Sequence, residues 1–375
     1  MKTPLLCTAL ALLGATACAP GDTTEPVTRR DTIQVVWRTP VSDAGSGLDD
    51  LAIDGRAFYT LVNGVSAYDL QTGALLWRVP RPAGRPLNLL THNGRVFVPA
   101  SDVFAVEATT GAELWRVTPD SFGRVEAAVD DKALYIGTDN RRVIAYDVAT
   151  GRTLWSREVL APTTYPSSVN AIVAHGDTVY AAVLEWLNQS GGRKRGWMFA
   201  LDRNTGRVLW TFLNERADEP HDVGNHAVAG RMLLINDLNG SAMIGVDRFT
   251  GVEVWRRVSS SGYLGAWDTF KVVDDVAYVA SNDTYLYALD PESGRIKWQT
   301  PLQASASSSV VCGDKVFAGA YGLHRANRSD GKVTATLFLD AQGVVTGSYV
   351  RSRLQTWANR VYFVGNDGVY AVKCD

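Results

Sequence analysis

Ala67-Tyr-Asp-Leu-Gln-Thr-Gly73-Ala-Leu-Leu-Trp77 is one copy of a phrase that returns at Ala105 to Trp115, Ala145 to Trp155, Ala200 to Trp210, Gly245 to Trp255 and Ala288 to Trp298. Gly stands four residues before Trp each time, and an acid stands four before Gly: Asp69, Glu107, Asp147, Asp202, Asp247 and Asp290. An Asp carboxylate accepts hydrogen bonds from amides two or three residues ahead, and Gly takes the left-handed backbone that closes a tight turn. Val65, Ala67 and Asp69 alternate with Ser66, Tyr68 and Leu70 at the period of a strand. Each phrase therefore reads as strand, turn, strand.

The small Ala leaves room for a large side chain, and the expected occupant is the Trp of the neighbouring unit. A ring of that size removes roughly 150 to 250 Å² from water, worth several kcal/mol at about 25 cal/mol/Å² as an upper estimate. Trp37, Trp77, Trp115, Trp155, Trp210, Trp255 and Trp298 are thus expected to dock one unit on the next.

Each phrase follows a turn residue and a β-rich run, and the turn residues fall at Gly55, Gly94, Asp131, Gly176, Gly230, Asp275, Gly313 and Asn359, eight in all. The copy from Leu323 to Ala335 lacks both acid and Trp, with Asn327, Gly331 and Ala335 in the marked places, and the last copy runs only from Val369 to Lys373. Ile33-Gln-Val-Val-Trp37-Arg-Thr-Pro matches the end of a phrase with no beginning, so it supplies the missing strand. The expected fold is all-β: a closed eight-bladed β-propeller of four-stranded antiparallel blades, the N-terminal strand completing the last one. If the unit around Asn327 is not a full blade, the ring has seven.

Ahead of the repeats, Met1-Lys2, the apolar run Leu5 to Leu13 and Gly14-Ala-Thr-Ala-Cys18 read as an export signal, residues 1–18. Its end resembles a bacterial lipobox, which implies lipid attachment at Cys18 and a place at the outer membrane, although Ala15 stands where that pattern prefers Leu. The other reading is ordinary cleavage near Ala17 to Pro20. Residues 19–31 carry Pro, Gly, Thr and charge without apolar periodicity and read as a disordered tether, leaving 32–375 as a single domain. A net charge of -2, with Lys and Arg dispersed, excludes a nucleic-acid partner and suits a monomeric propeller that meets the membrane through a lipid anchor alone.

The phrase resembles the PQQ-like, or quinoprotein-type, repeat over Ile33 to Lys373. Membership among the quinoprotein dehydrogenases would imply PQQ over the axis, Ca²⁺ held by carboxylate and amide ligands, a catalytic Asp and a pair of adjacent cysteines. No Cys-Cys occurs here and the blades carry few insertions, so neither PQQ nor Ca is expected. An exported lipoprotein of eight such blades is more similar to the BamB-type accessory subunit of the outer-membrane β-barrel assembly machine. That resemblance implies a non-catalytic scaffold that binds envelope partners through loops on one face. The alternatives are a dehydrogenase-related quinoprotein and a carbohydrate- or peptide-binding propeller.

Two sets of residues are candidates for a partner surface. Counting back from the turn residues places Asp49, Asn88, Arg124, Asn170, Asp222, Asp268, Arg351 and Arg353 at one mouth of the central channel, where the simplest reading is a solvated polar funnel. The insertion in the fourth unit carries Trp186, Arg193, Lys194, Arg195 and Trp197, a basic loop with aromatic shoulders; as a purely structural reading, the two Trp are a cross-strand pair. His226, beside Asp222, is of metal-ligand type but at no established spacing. Cys312 and Cys374 fall on the same face in adjacent units and are candidates for a disulfide, subject to the roughly 7 Å limit on their Cα separation.

Overall fold

In the first unit the strands Val65–Asp69 and Leu75–Val79 are joined by the turn that the phrase encodes. Asp69 Oδ1 accepts from the amides of Gln71 and Thr72 at 3.0 and 2.8 Å, and Gly73, at φ 72°, donates its N–H to Asp69 O at 2.9 Å. The Thr72 hydroxyl, which also bonds Asp69 Oδ1, holds that carboxyl below the usual carboxylate range. Asp147, Asp202 and Asp247 cap their turns in the same way.

The computed structural model describes residues 32–41, 50–62, 64–80, 88–121, 127–188, 194–215, 222–237, 241–258, 270–306, 308–338, 350 and 352–375. The export signal with Cys18 and the tether lie outside them, as do Asp49, Arg124, Arg193, Asp268 and Arg351. The described strands form eight four-stranded antiparallel sheets. They span 51–79, 90–117, 128–158, 167–214, 226–258, 271–301, 308–337, and finally 355–373 together with 35–40; we number them blades 1 to 8. The unit around Asn327 is a complete blade, so the ring has eight and not seven.

The two chain ends share blade 8. Val35–Pro40 pairs antiparallel with Gly368–Lys373, placing Trp37 opposite Ala371 and Arg38 opposite Tyr370. The N-terminal strand therefore completes the last blade, and the ring closes without an unpaired edge at the seam.

Every phrase tryptophan crosses to the next blade. The indole N–H groups of Trp37, Trp77, Trp115, Trp155, Trp210, Trp255 and Trp298 donate to the carbonyls of Leu70, Ala108, Val148, Arg203, Arg248, Pro291 and Arg328, at 2.8 to 3.2 Å. The acceptor is each time the residue just after the turn acid, or after Asn327 in its place. What makes room for the ring differs from the expectation. Ala67 stands opposite Trp77 in its own blade, as Ala105 does opposite Trp115, so the small residue clears space for its own blade's indole. The neighbour receives the ring on its turn glycine: a Cβ on Gly111 would lie 2.8 Å from Trp77 Cε3, and one on Gly73 2.6 Å from Trp37 Cε3. Gly in the phrase thus serves both the left-handed turn and the docking of the preceding blade.

The junction between blades 7 and 8 is built otherwise. Ala335 occupies the tryptophan position, and opposite it stands Arg325 in place of the small residue. Arg325 is fully buried, with its Nε 3.2 Å from Thr334 Oγ1. Cys312, ending the inner strand of blade 7, is bonded to Cys374, just past the third strand of blade 8, with Cα atoms 5.9 Å apart.

Candidate functional site

Blade 4 departs most from its neighbours. Its second and third strands, Thr178–Trp186 and Lys194–Asp202, have nine residues each, whereas the corresponding strands elsewhere have four to six. The inner strand, Ser167–His175, is lengthened with them and pairs as far as Glu185, so the whole blade is extended at the end that carries the residues singled out from the sequence. Trp186 faces Lys194 across the strands, Glu185 faces Arg195, and Val183 faces Trp197. Because neighbouring positions point to opposite faces, Trp186 and Trp197 lie on different sides of the sheet and are not a cross-strand pair.

Each face has its own chemistry. Lys194 Nζ stands 5.8 Å from the centroid of the Trp186 ring, in reach of a cation–π contact. On the other face Trp197 donates its indole N–H to Glu185 Oε2 at 2.8 Å. Arg195 bridges two carboxylates, Nε 3.8 Å from Glu185 and NH2 3.2 Å from Glu215. Glu185 is buried, so its charge is balanced locally and Trp197 is fixed against the core of blades 3 and 4. Lys194 and Trp186 remain as the pair offered to an outside surface.

Next to this hairpin a buried polar node joins blades 4 and 5. Asn214 Nδ2 donates to Asp222 O and to Asp237 Oδ2, both at 2.8 Å, while the amide of Asp222 donates to Asp237 Oδ1 at 3.1 Å. Arg256 donates to Asn214 Oδ1 at 2.9 Å and to Glu253 at 2.6 Å. The node fixes where the chain enters blade 5, a position that fixed-interval counting shows only as the lone Asp222. His226 is 1% exposed, with its ring nitrogens 3.4 Å from Gly224 O and 3.3 Å from Tyr180 O. Burial pulls its pKa down to about 4 against the pull of those two carbonyls, so it is a neutral core histidine rather than a surface ligand.

Two of the described axial candidates, Asn88 and Arg353, join neighbouring blades. Asn88 is buried and grips the backbone of the next blade, donating to Ala127 O at 2.8 Å and accepting from Ala127 N at 3.0 Å. Asp50, which the counting missed by one residue, accepts the amide of Leu89 at 2.7 Å and lies 4.0 Å from Arg353 Nε. Ser308 accepts the amide of Leu354 at 3.0 Å. Inner strands of blades 8, 1, 2 and 3, and of 7 and 8, are linked in this way. Asn170 bonds Ser168 within its own blade. The slip at Asp50 arises because the inner turn brackets four residues between Ile53 and Phe58 but two between His92 and Arg95.

Among the described residues no group of three or more His, Cys, Asp or Glu side chains could hold a metal ion. No described helix is long and apolar enough to cross a membrane.

Comparison with known proteins places this geometry. The family described as "Outer membrane protein assembly factor BamB" matches residues 62–189 and 194–375. The quinohemoprotein alcohol dehydrogenase ADH IIB of Pseudomonas putida is 27% identical over 222 residues, covering 51% of this chain and 31% of that protein. The outer membrane protein assembly factor BamB of Shewanella oneidensis is 25% identical over 264 residues, covering 68% of this chain and 63% of that one. The chain thus spans less than two-thirds of the length of either relative. Among solved structures, BamB from Moraxella catarrhalis superposes with a TM-score of 0.65 at 17% identity, covering 91% of this chain and 97% of that one, a likeness of fold. With the match extending over most of its length, and eight blades joined at seven junctions by Trp to account for it, the chain belongs to the BamB-described family of PQQ-like propellers.

Proposed function

We propose that this protein is a non-catalytic propeller scaffold of the bacterial cell envelope, tethered through Cys18, that binds protein partners of a β-barrel assembly complex at the outer membrane. One observation carries the reading: the second and third strands of blade 4 outgrow their seven counterparts and end on a half-buried Trp186 with Lys194 beside its ring. An aromatic and a cation paired at the end of a lengthened blade suit a contact surface. The BamB-named relatives support the same class of partner. Names of quinone-dependent dehydrogenases among the relatives favour a second reading, a quinoprotein enzyme.

A photocrosslinker at position 186 or 194 in cells should yield adducts with outer-membrane assembly components, whereas one at Arg116, on the outer strand of blade 2, should not. Equal labelling at all three positions, together with quinone-dependent dye reduction by the purified protein, would replace the scaffold reading with the enzyme. For the tether, Cys18→Ala should release the protein from the membrane fraction.

A further inference from the structure

Two blades send an arginine back to the blade before them, from the residue just after the turn-capping Asp202 or Asn327. Arg203 of blade 4 places Nε 2.7 Å from Asp130 Oδ2, bonds Asp131 through NH2, and has NH1 3.5 Å from Gly176 O. Arg328 of blade 7 lies 2.7 Å from Asp274 Oδ2 and 3.2 Å from Val273 O, with its guanidinium carbon 5.9 Å from the Tyr278 ring centroid. In both places a guanidinium fills the gap between two inner turns, on a carboxylate and beside a tyrosine.

Blade 2 has Ala108 at that position. The receiving side in blade 1 is nevertheless built as in blade 3. Asp54 Oδ1 accepts the amides of Arg56 and Ala57 at 2.9 and 3.1 Å while Oδ2 accepts the Tyr59 hydroxyl at 2.8 Å. Asp130 does the same with Lys132, Ala133 and Tyr135, and has lone pairs left for Arg203. Asp54 makes no ion pair among the described residues. A cleft of about 410 Å³ opens beside it, lined also by Ile53 at the inner turn of blade 1 and by Asn93 and Gly94 at that of blade 2. Its far wall is Trp357 of blade 8, the last inner-strand residue before a two-residue turn, where blades 2, 4, 5, 6 and 7 carry the smaller His92, His175, Ala229, Val273 and Cys312. This ring is 47% exposed and rests on Gly55, where a Cβ would come within 2.7 Å of it.

We propose that this cleft binds a guanidinium supplied from outside the chain, an arginine side chain of a partner peptide, seated on Asp54 with its plane toward Trp357. A planar fork matches a carboxylate and stacks on an indole, which an ammonium does less well. Arg56 lies on the same rim, so the residue next to the incoming arginine is neutral or acidic. The site is at the opposite end of the blades from the blade 4 hairpin, and it stands or falls separately from the partner proposed there.

Saturation-transfer NMR on the full chain with N-acetyl-Gly-Arg-Gly amide, and with its citrulline and lysine counterparts, tests the assignment. The arginine peptide should bind saturably and about tenfold more tightly than the citrulline peptide, and Asp54→Asn should weaken it about tenfold. Ala108→Arg, which lets the chain fill its own cleft as blades 4 and 7 do, should abolish binding and raise the melting temperature. Equal binding of the three peptides, or undiminished binding by the Ala108→Arg protein, would overturn the proposal. The second variant decides the matter even if Asp54→Asn does not fold.

Discussion

Between blades 1 and 2, Trp77 lies on Gly111 and donates to Ala108 O at 3.0 Å; between blades 7 and 8, Arg325 fills the space opposite Ala335, and Cys312 is bonded to Cys374. The two junctions hold a large and a small residue in the same cross-strand pair with the order reversed, Ala67 opposite Trp77 in one and Arg325 opposite Ala335 in the other. Each pair fills the space with one long side chain over one methyl group. The indole N–H bond across the junction is not kept in the second, and a covalent bond stands instead. Closing a loop of 62 residues contributes about 4 kcal/mol in the chain-entropy account, comparable with what burial of an indole supplies. One junction therefore depends on water exclusion and the other on an oxidising compartment.

Trp77→Ala should have the largest effect, destabilising by about 3 to 5 kcal/mol, because it removes both the ring packed on Gly111 and the bond to Ala108; urea melts at fixed pH read it directly. Removing the cross-link with Cys312→Ala and Cys374→Ala should cost about 2 to 4 kcal/mol. Adding reductant should reproduce that loss in the parent protein and leave the double variant unchanged. A sharper comparison converts one junction into the other. Arg325→Ala opens a cavity and Ala335→Trp collides with Arg325, so each alone should destabilise, while the pair together should recover about 2 kcal/mol relative to the sum in a double-mutant cycle.

The junction between blades 4 and 5 adds an acid sensitivity through the fully buried His226. His226 is favoured neutral in the folded state, with its pKa pulled down to about 4. The unfolded chain therefore takes up the proton first. Stability from this site is complete above about pH 6.5 and falls as pH drops toward 4, by on the order of 1 to 2 kcal/mol at pH 5. His226→Gln should flatten the stability profile over that window, and an unchanged slope would show that other groups set it.

Much of the ring was legible because its determinants are local. Acid, Gly and Trp at fixed spacing encode a turn and a staple that need no long-range information, and Trp37 without a phrase pointed to the seam. Reading the small Ala as the seat of a neighbour's ring failed because strand register, not composition, decides which face a residue shares with which Trp. The same limit hid the parity that separates Trp186 from Trp197. Cys312 and Cys374 could be placed on one face by counting, but radial distance comes only from the packed blades. Arg325 was readable as an arginine in the small-residue slot, and Ala108 as one of four residues without a guanidinium at the position that Arg203, Arg248 and Arg328 hold elsewhere; both signals emerge when corresponding positions are compared across blades rather than along the chain.

Amide hydrogen exchange with and without reductant tests most directly the claim that a disulfide replaces the indole at the last junction. Reduction should strip protection from Ser308–Cys312 and Gly368–Lys373 while the second and third strands of blades 2 to 5 keep theirs. Unchanged protection in those two strands, or a uniform loss around the ring, would contradict it.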